Sequence, residues 1–340
     1  MSTADQTTPE TPAYTLTDND KAHFLQYGYI RIEKCFTPQK AAQWTKDVWI
    51  RLGYSPTDKS TWTKERINMP HHRSEPVATF APKAWAAICE LCGGEDRISE
   101  DEAFRDWRDS LIVNLGTREW EDQLDLGKEP DPKGLDNWHV DGDFFWHFLD
   151  SPEQALLVIP LFSNIRPQGG GTMVCPQGIE LIAKHLYDHP EGVSPFMTPR
   201  GSEPQPNHTS LDFFTSLIQN CNDFHEMTGN IGDVILLHPF MLHSASRNSL
   251  REPRIITNPP VGLKEPFNFD RDDPKEYSLV EQKTLLALGR EGLPGWRITT
   301  QRERIVPERM KVFYEMKVLE EERLRRAEID GATVDGAQQM

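Results

Sequence analysis

The sequence predicts a mostly β core, a small antiparallel barrel or jelly roll, with helices before and after it. Helical patterns come first, then several short apolar runs separated by long connections, then helical patterns again. No βαβ alternation recurs, which argues against a doubly wound parallel sheet. The short runs surround a stretch, residues 137–147, that places a histidine and a carboxylate two positions apart, and many short strands around such a site suit a barrel or jelly roll.

In order, residues 1–14 are rich in Thr, Pro and Glu and read as a disordered lead-in, without the basic and apolar regions of a secretory signal. Thr17 or Asp18 is set to cap a first helix, carried by Ala22, Phe24, Leu25 and Tyr27 and stopped by Gly28. Residues 29–32 alternate as a strand does. Thr37-Pro38 opens a helix that should run from Gln39 to about Leu52 and bury Ala42, Trp44, Val48 and Trp49. Residues 53–82, with many Pro, Ser and Thr, are expected to be loop, and a helix at 83–91 ends at Gly93-Gly94. Branched and apolar content makes 110–115 a strand, with acidic loop from there to Gly134. Beyond the 137–147 stretch, residues 155–162 form a continuous apolar run fit for a buried strand. Gly169-Gly170-Gly171 turns into a short strand at 172–175. Helices are expected at 179–187 and 211–218, with loop between them. Gly232-Asp233 turns into a strand at 234–237, which Pro239 ends just before Met241-Leu242-His243, and 254–257 is the last strand. Past Gly262 the chain becomes charged and helical, at 278–288 and 307–326, with Trp296 as a docking residue and 327–340 as a fraying end. This divides the chain into a tail (1–14), a body (15–262) and a helical extension packed on the body (263–340).

Composition narrows the partners. A formal net charge of −16 argues against nucleic acid and anionic membrane, and against a polyphosphorylated substrate unless a local basic patch overrides the average. No run approaches the roughly 18 apolar residues of a membrane span. Five cysteines, an odd number in a long chain, make no disulfide framework, so reduced thiols and a cytoplasmic location are expected. Cys89-Glu90-Leu91-Cys92 reads as two thiols near a helix end. In the last helix Lys311, Lys317, Arg323, Arg325 and Arg326 interleave with Glu315, Glu320, Glu321 and Glu322. That is a solvated amphipathic face, packed on the body or, as a homodimer contact, on a second subunit.

In extended backbone, residues i and i+2 share a face, so His139 and Asp141 can grip one cation. A third ligand is needed, and His147, His238 and His243 are the candidates. Eight residues of strand would put His147 about 26 Å from His139, beyond a shared coordination shell. His238, at the end of an apolar run, reads as a core histidine. His243 is followed by Ser244, Ala245 and Ser246 and has room to face a cavity. Two His and one carboxylate on one face of a metal leave positions open, which suits non-haem Fe(II) oxygen chemistry. Arg254, eleven positions after His243 and on the next strand, either holds a carboxylate with two hydrogen bonds, as a keto-acid cosubstrate requires, or makes a surface ion pair with Glu252. The aromatic residues Phe144 and Trp146 read either as core packing or as the wall of an apolar substrate pocket. Asn114 reads either as a contact to the cosubstrate or as a strand-edge amide.

Leu16-Thr17…Phe24…Tyr27-Gly28-Tyr29, the His139-x-Asp141 pair, Gly170-Gly171-Thr172 leading to Pro176, Gly232-Asp233…His243, and Arg254 stand in an order and spacing that resembles the phytanoyl-CoA dioxygenase-like Fe(II)/2-oxoglutarate oxygenases. The resemblance runs from Leu16 to about Gly262. It implies a double-stranded β-helix (jelly-roll, cupin-like) core and a dioxygenase that consumes O2 and 2-oxoglutarate to hydroxylate or otherwise oxidise a small organic molecule. It implies His139, Asp141 and His243 as iron ligands, Arg254 as the anchor of the distal carboxylate of 2-oxoglutarate, and Thr172 as a second contact. The sequence departs from the family at Ala245, where Ser is frequent, and at Pro176-Gln177-Gly178-Ile179, where the family has Pro-Gly-Ser-His. Asp141 argues against the halogenating branch, which lacks the carboxylate. The acidic net charge is unfavourable for a CoA tail, and no peroxisomal signal stands at 336–340. Two other functions fit part of the pattern. A zinc hydrolase would use the same His2Asp set, although the sequence has no His-Glu-x-x-His. A non-catalytic jelly roll would bind a metal or ligand without turning it over.

Overall fold

In the computed structural model, residues 14–125, 131–202 and 210–330 are described. The lead-in expected at 1–13, parts of the loops at 126–130 and 203–209, and the end beyond 330 lie outside the described residues. Thr17 opens α1 (Asp18–Tyr27) with a capping box. Its hydroxyl accepts from the Asp20 amide, and the Asp20 carboxylate accepts from the Thr17 amide. Gly28 ends α1 at φ +75°, where a Cβ would stand 2.1 Å from Ile179 Cδ1, so glycine alone lets the chain pass into β1 (Tyr29–Ile32).

The next helix is two helices, α2 (Pro38–Thr45) and α3 (Val48–Leu52). Thr45 Oγ1 donates back to the Ala41 carbonyl, a contact that bends helices, and the chain breaks at the following residues. Ala41 rather than Ala42 is consequently the buried alanine. Residues 53–82 are not loop throughout. They contain β2 (Arg66–Asn68), β3 (Ser74–Pro76) and α4 (Val77–Phe80). These elements are too short to show a period, and both strands pair with remote partners. Then follow α5 (Pro82–Cys92), α6 (Glu102–Arg105), β4 (Asp106–Arg108), β5 (Ile112–Asn114) and α7 (Arg118–Asp122), the last a short Thr117-capped helix where acidic loop was expected. All five cysteines are free, with Cys89 and Cys92 in the final turn of α5.

The core strands are β6 (Leu156–Pro160), β7 (Thr172–Cys175), β8 (His225–Met227), β9 (Val234–Leu237), β10 (Leu242–Ala245), β11 (Arg254–Ile256) and β12 (Pro260–Val261). Helices α8 (Gln177–Asp188) and α9 (Asp212–Gln219) lie between β7 and β8. Every residue of β6, β7 and β9 is buried, and for β6 this is what its continuous apolar run predicts. All strand pairs among the described residues are antiparallel. One sheet has the order β1-β9-β6-β12, and another β11-β5-β2. A bridge between Leu161 and Ile256 joins these two, with Phe162 N donating to Ile255 O. The order β10-β7-β8 forms a separate sheet, which a bridge between His139 and His243 extends by one position.

The C-terminal part packs back onto the body. Helix α10 (Leu279–Ala287) lies against α1, α5 and α8, and Lys283 Nζ donates to Gln26 O. Trp296 is half-buried and donates to Tyr187 O. Residues 303–305 run beside 144–146, with Trp146 N donating to Glu303 O and Ile305 N to Phe144 O. Helix α11 (Arg309–Ile329) continues three residues past the expected end at 326 and docks on α3. No helix among the described residues is long and apolar enough to cross a membrane.

Candidate metal centre

His139 enters the site as a single bridged residue. Its N–H and C=O exchange hydrogen bonds of 3.0 Å with those of His243 at the start of β10. This places the two imidazoles 4.3 Å apart, centroid to centroid. Asp141 Oδ1 lies 3.3 Å from His139 Nε2 and 3.7 Å from His243 Nε2. One ligand atom from each of the three residues thus falls within 4.8 Å of the others.

The orientation of each ligand is fixed from behind. His139 Nδ1 stands 2.7 Å from Asn137 O, and His243 Nδ1 stands 3.0 Å from Met241 O. A carbonyl only accepts, so each Nδ1 carries the proton, and in the neutral ring each Nε2 presents its lone pair to the centre. Asn258 Nδ2 donates to Asp141 Oδ2 at 3.1 Å and leaves Oδ1 facing the imidazoles. Side-chain exposures of 25% for His139, 16% for Asp141 and 9% for His243 show that the cluster opens toward solvent on the side of the first two. Burial and the neighbouring His139 push His243 down to about 4. Burial opposes the Asp141 charge, but His139, His243 and Asn258 outweigh it and hold the carboxyl below its ordinary range. Burial alone would lower His139, and Asp141 reverses this and raises it. An anionic Asp141 beside a neutral His243 is what a divalent cation needs of its ligands.

The other histidines fall elsewhere. Gly142, at φ +117°, turns the chain, so 137–147 is not one strand and the extended spacing predicted for His147 does not exist. His147 is kept from the centre by its own partners. Its Nε2 donates to Gly142 O at 2.8 Å and its ring stacks on Phe145. His238 is a core histidine, fully buried, 2.9 Å from the Thr284 hydroxyl and pushed by burial down to about 3.

Arg254 is 3% exposed and points inward. Its Nε donates to Gly170 O at 2.8 Å and its Nη2 to Thr172 Oγ1 at 3.3 Å. In the β7–β10 ladder Thr172 stands opposite Ala245, two residues from His243. Arg254 makes no ion pair among the described residues, and no hydrogen bond there takes up its Nη1. Glu252, the alternative partner, pairs with Arg166 instead. Burial, with Arg66 nearby, pushes the guanidinium down to about 10. Asn114 has its amide committed to protein, donating to Ser246 O and accepting from Gly116 N, both at 3.1 Å. Phe144 and Trp146 are half-buried between the ligand loop and the C-terminal segment. Phe144 packs edge-on against Phe145, and the Arg200 guanidinium lies 4.2 Å from the Trp146 ring. Sequence reasoning missed Asn258 and Arg66. Asn258 lies two residues beyond the end of β11, where no strand pattern points to it, and nothing in residues 53–82 announced β2.

No protein-family model matches the chain, and no curated protein does. Among solved structures, the chain is similar to EctD from S. alaskensis with bound Fe at 18% identity, covering 77% of this chain and 83% of that one, with a TM-score of 0.42. The non-heme alpha ketoglutarate dependent carbocyclase SnoK from nogalamycin biosynthesis is similar at 12% identity over 73% of this chain and 84% of that one, with a TM-score of 0.40. HygX from Streptomyces hygroscopicus, with nickel, 2-oxoglutarate and hygromycin B bound, matches at 11% identity over 73% and 88%, with a TM-score of 0.37. Likeness at this level transfers no activity, which has to be argued from the side chains.

Proposed function

We propose that the chain is an Fe(II)- and 2-oxoglutarate-dependent oxygenase with a double-stranded β-helix core, acting on a small organic molecule. The observation that carries this reading is a three-residue candidate ligand cluster, His139, Asp141 and His243, close to a buried guanidinium, Arg254, that makes no ion pair among the described residues. Glu226 offsets the Arg254 charge only in part and without an ion pair, and a buried cation costs several kcal/mol unless an anion answers it, so Arg254 is poised for a carboxylate. The strand pattern supports the fold: from His139 onward the chain passes back and forth between the β10-β7-β8 sheet and the joined β6, β9 and β11 ladders, as jelly-roll strands do.

The donor set fits the metal. Two imidazole Nε2 atoms and one carboxylate oxygen are a facial triad that leaves positions open for other ligands. Fe(II) held there supplies O2 activation, coupled to decarboxylation of 2-oxoglutarate to succinate and CO2 and to oxidation of the substrate. Arg254 grips the distal carboxylate with Nη1, and the Thr172 hydroxyl beside it donates a second bond. Asn258 keeps Asp141 from rotating away, and the Phe144 and Trp146 rings offer apolar surface to the substrate. A zinc hydrolase needs a general base beside its water, and among the described residues no further carboxylate or histidine joins the cluster.

The test is anaerobic addition of Fe(II) and 2-oxoglutarate, followed by admission of air. A weak visible metal-to-ligand band and slow succinate release are expected. His139→Ala should abolish the band. Arg254→Gln should still bind Fe(II) but lose about 1.5–3 kcal/mol of 2-oxoglutarate affinity, the worth of a hydrogen bond to a charged group. Absence of both band and succinate in the wild-type protein rejects the oxygenase.

A further inference from the structure

We propose that the oxidised substrate carries a carboxylate and that Arg66 binds it. The inference rests on the oxygenase reading above and deepens it by naming the substrate's class.

Arg66, Asn114 and Arg254 form one rung across three strands. Arg254 of β11 is opposite Asn114 of β5, which on its other side is opposite Arg66 of β2. Residues directly opposite in a ladder share a face, so Arg66 projects to the side on which Arg254 reaches Gly170 and Thr172. The closeness registers electrostatically, since Arg66 is one of the groups that lower Arg254. Two guanidinium groups on one face, in a chain with a net charge of −16, favour anions locally, although Glu226 offsets Arg254 in part and Asp136 meets Arg66. The inner one is buried at the depth of the ligand cluster. The outer one is 31% exposed, at the rim.

At the rim, Arg66 has an easily displaced partner. Its Nη2 contacts both oxygens of Asp136 at 3.2 Å, and Asp136 is 77% exposed. A pair this exposed contributes little, so an incoming carboxylate meets a small barrier. Asp136 begins the run into Asn137, Trp138 and His139, so the contact closes across the chain that delivers the first metal ligand. The guanidinium of Arg247 lies near Gly134, two residues before Asp136. It lies 4.2 Å from the Trp120 ring, and its Nη2 would stand 3.8 Å from a Cβ at Gly134. Arg247 has no ion pair among the described residues. The 2-oxoglutarate carboxylate belongs to Arg254, which leaves Arg66 for an anionic group on the substrate itself.

The test uses the full chain with Fe(II) and 2-oxoglutarate under anaerobic conditions, so that nothing turns over. The probes are a set of small alkyl and aryl monocarboxylates and the corresponding primary amides. Binding is read as a concentration-dependent rise in Tm. The acids should raise Tm and the amides should not. Arg66→Gln should increase the half-saturating concentration of the acids by about tenfold or more, while that of 2-oxoglutarate stays within about twofold. Equal binding of acids and amides, no binding of either, or an unchanged titration in Arg66→Gln overturns the proposal. Acids that bind through Arg66 in a protein lacking the Fe(II)/2-oxoglutarate band would keep the anion subsite and sink the oxygenase. A band without acid binding would do the reverse.

Discussion

Asn258 shows how much of this site depends on a residue that never meets the metal position. Asp141 offers two oxygens; the Asn258 amide holds one, which turns the other toward both imidazoles. Without that amide the carboxylate can rotate about its last torsion and spread its charge over several orientations. Asn258→Ala should therefore weaken Fe(II) binding about 10–100-fold, the usual effect of losing a group that orients a ligand. Competition against a chromophoric chelator measures this. Asn258 is exposed, so Tm should barely move, and a large Tm loss would reassign the residue to stability. The sequence singled out His139, Asp141, His243 and Arg254 as candidates because the proposed chemistry demands those residue types, and the structure brings the first three within 4.8 Å of one another. Asn258 was not visible, because it stands two residues past the end of β11, outside any strand pattern. Arg66 was hidden altogether, because a three-residue strand shows no period and its partner in β5 is distant in sequence.

At the scale of elements, charge ties α11 to the body at two places, one of them next to the candidate site. Arg309, the first residue of α11, forks onto Asp143, two positions after Asp141. Farther along, Glu320 is 1% exposed and takes Arg51 Nε and His72 Nε2 on one oxygen, each at 2.8 Å. Arg51, itself buried, also pairs with Asp109 at 3.0 Å. Removing the Glu320 charge leaves Arg51 with half of its counter-charge inside the protein, and breaking such buried pairs costs about 3–5 kcal/mol. We expect Glu320→Gln to release α11 from α3 before the core unfolds. Limited proteolysis should then cut within 309–329 in the variant while the wild-type protein stays intact there, and equal resistance would show that packing alone holds the helix. Sequence patterning announced this helix and its interleaved charges, yet not its docking side, which depends on Arg51 and hence on the break between α2 and α3. Pattern likewise announced β6, β7 and β9, which are wholly buried, and failed for β2 and β3, three-residue strands with little apolar content that are strands through their pairing with β5 and β4.

For the molecule as a whole, acid is the condition that should divide the extension from the body. Glu281, fully buried at the start of α10, accepts both forks of Arg97 (3.0 and 2.8 Å), Arg271 at 3.2 Å, and the backbone amides of Asn268 and Ser278. Burial alone would raise its carboxyl. The Arg97 fork and then the two amides outweigh it, and the folded protein holds Glu281 below the ordinary carboxylate range. A group depressed on folding contributes stability that is complete above its unfolded value, about 4.3 for Glu, and disappears as pH falls from there through the folded value. Glu281→Gln should therefore lower Tm strongly at pH 7, and its deficit against the wild-type protein should shrink as pH drops below about 4.3. Thermal unfolding followed at several pH values decides the matter. A deficit that stays constant, or grows in acid, would mean that Glu281 acts through shape and hydrogen bonding rather than charge, and the acid sensitivity of this strongly anionic chain would then have to come from its surface carboxylates.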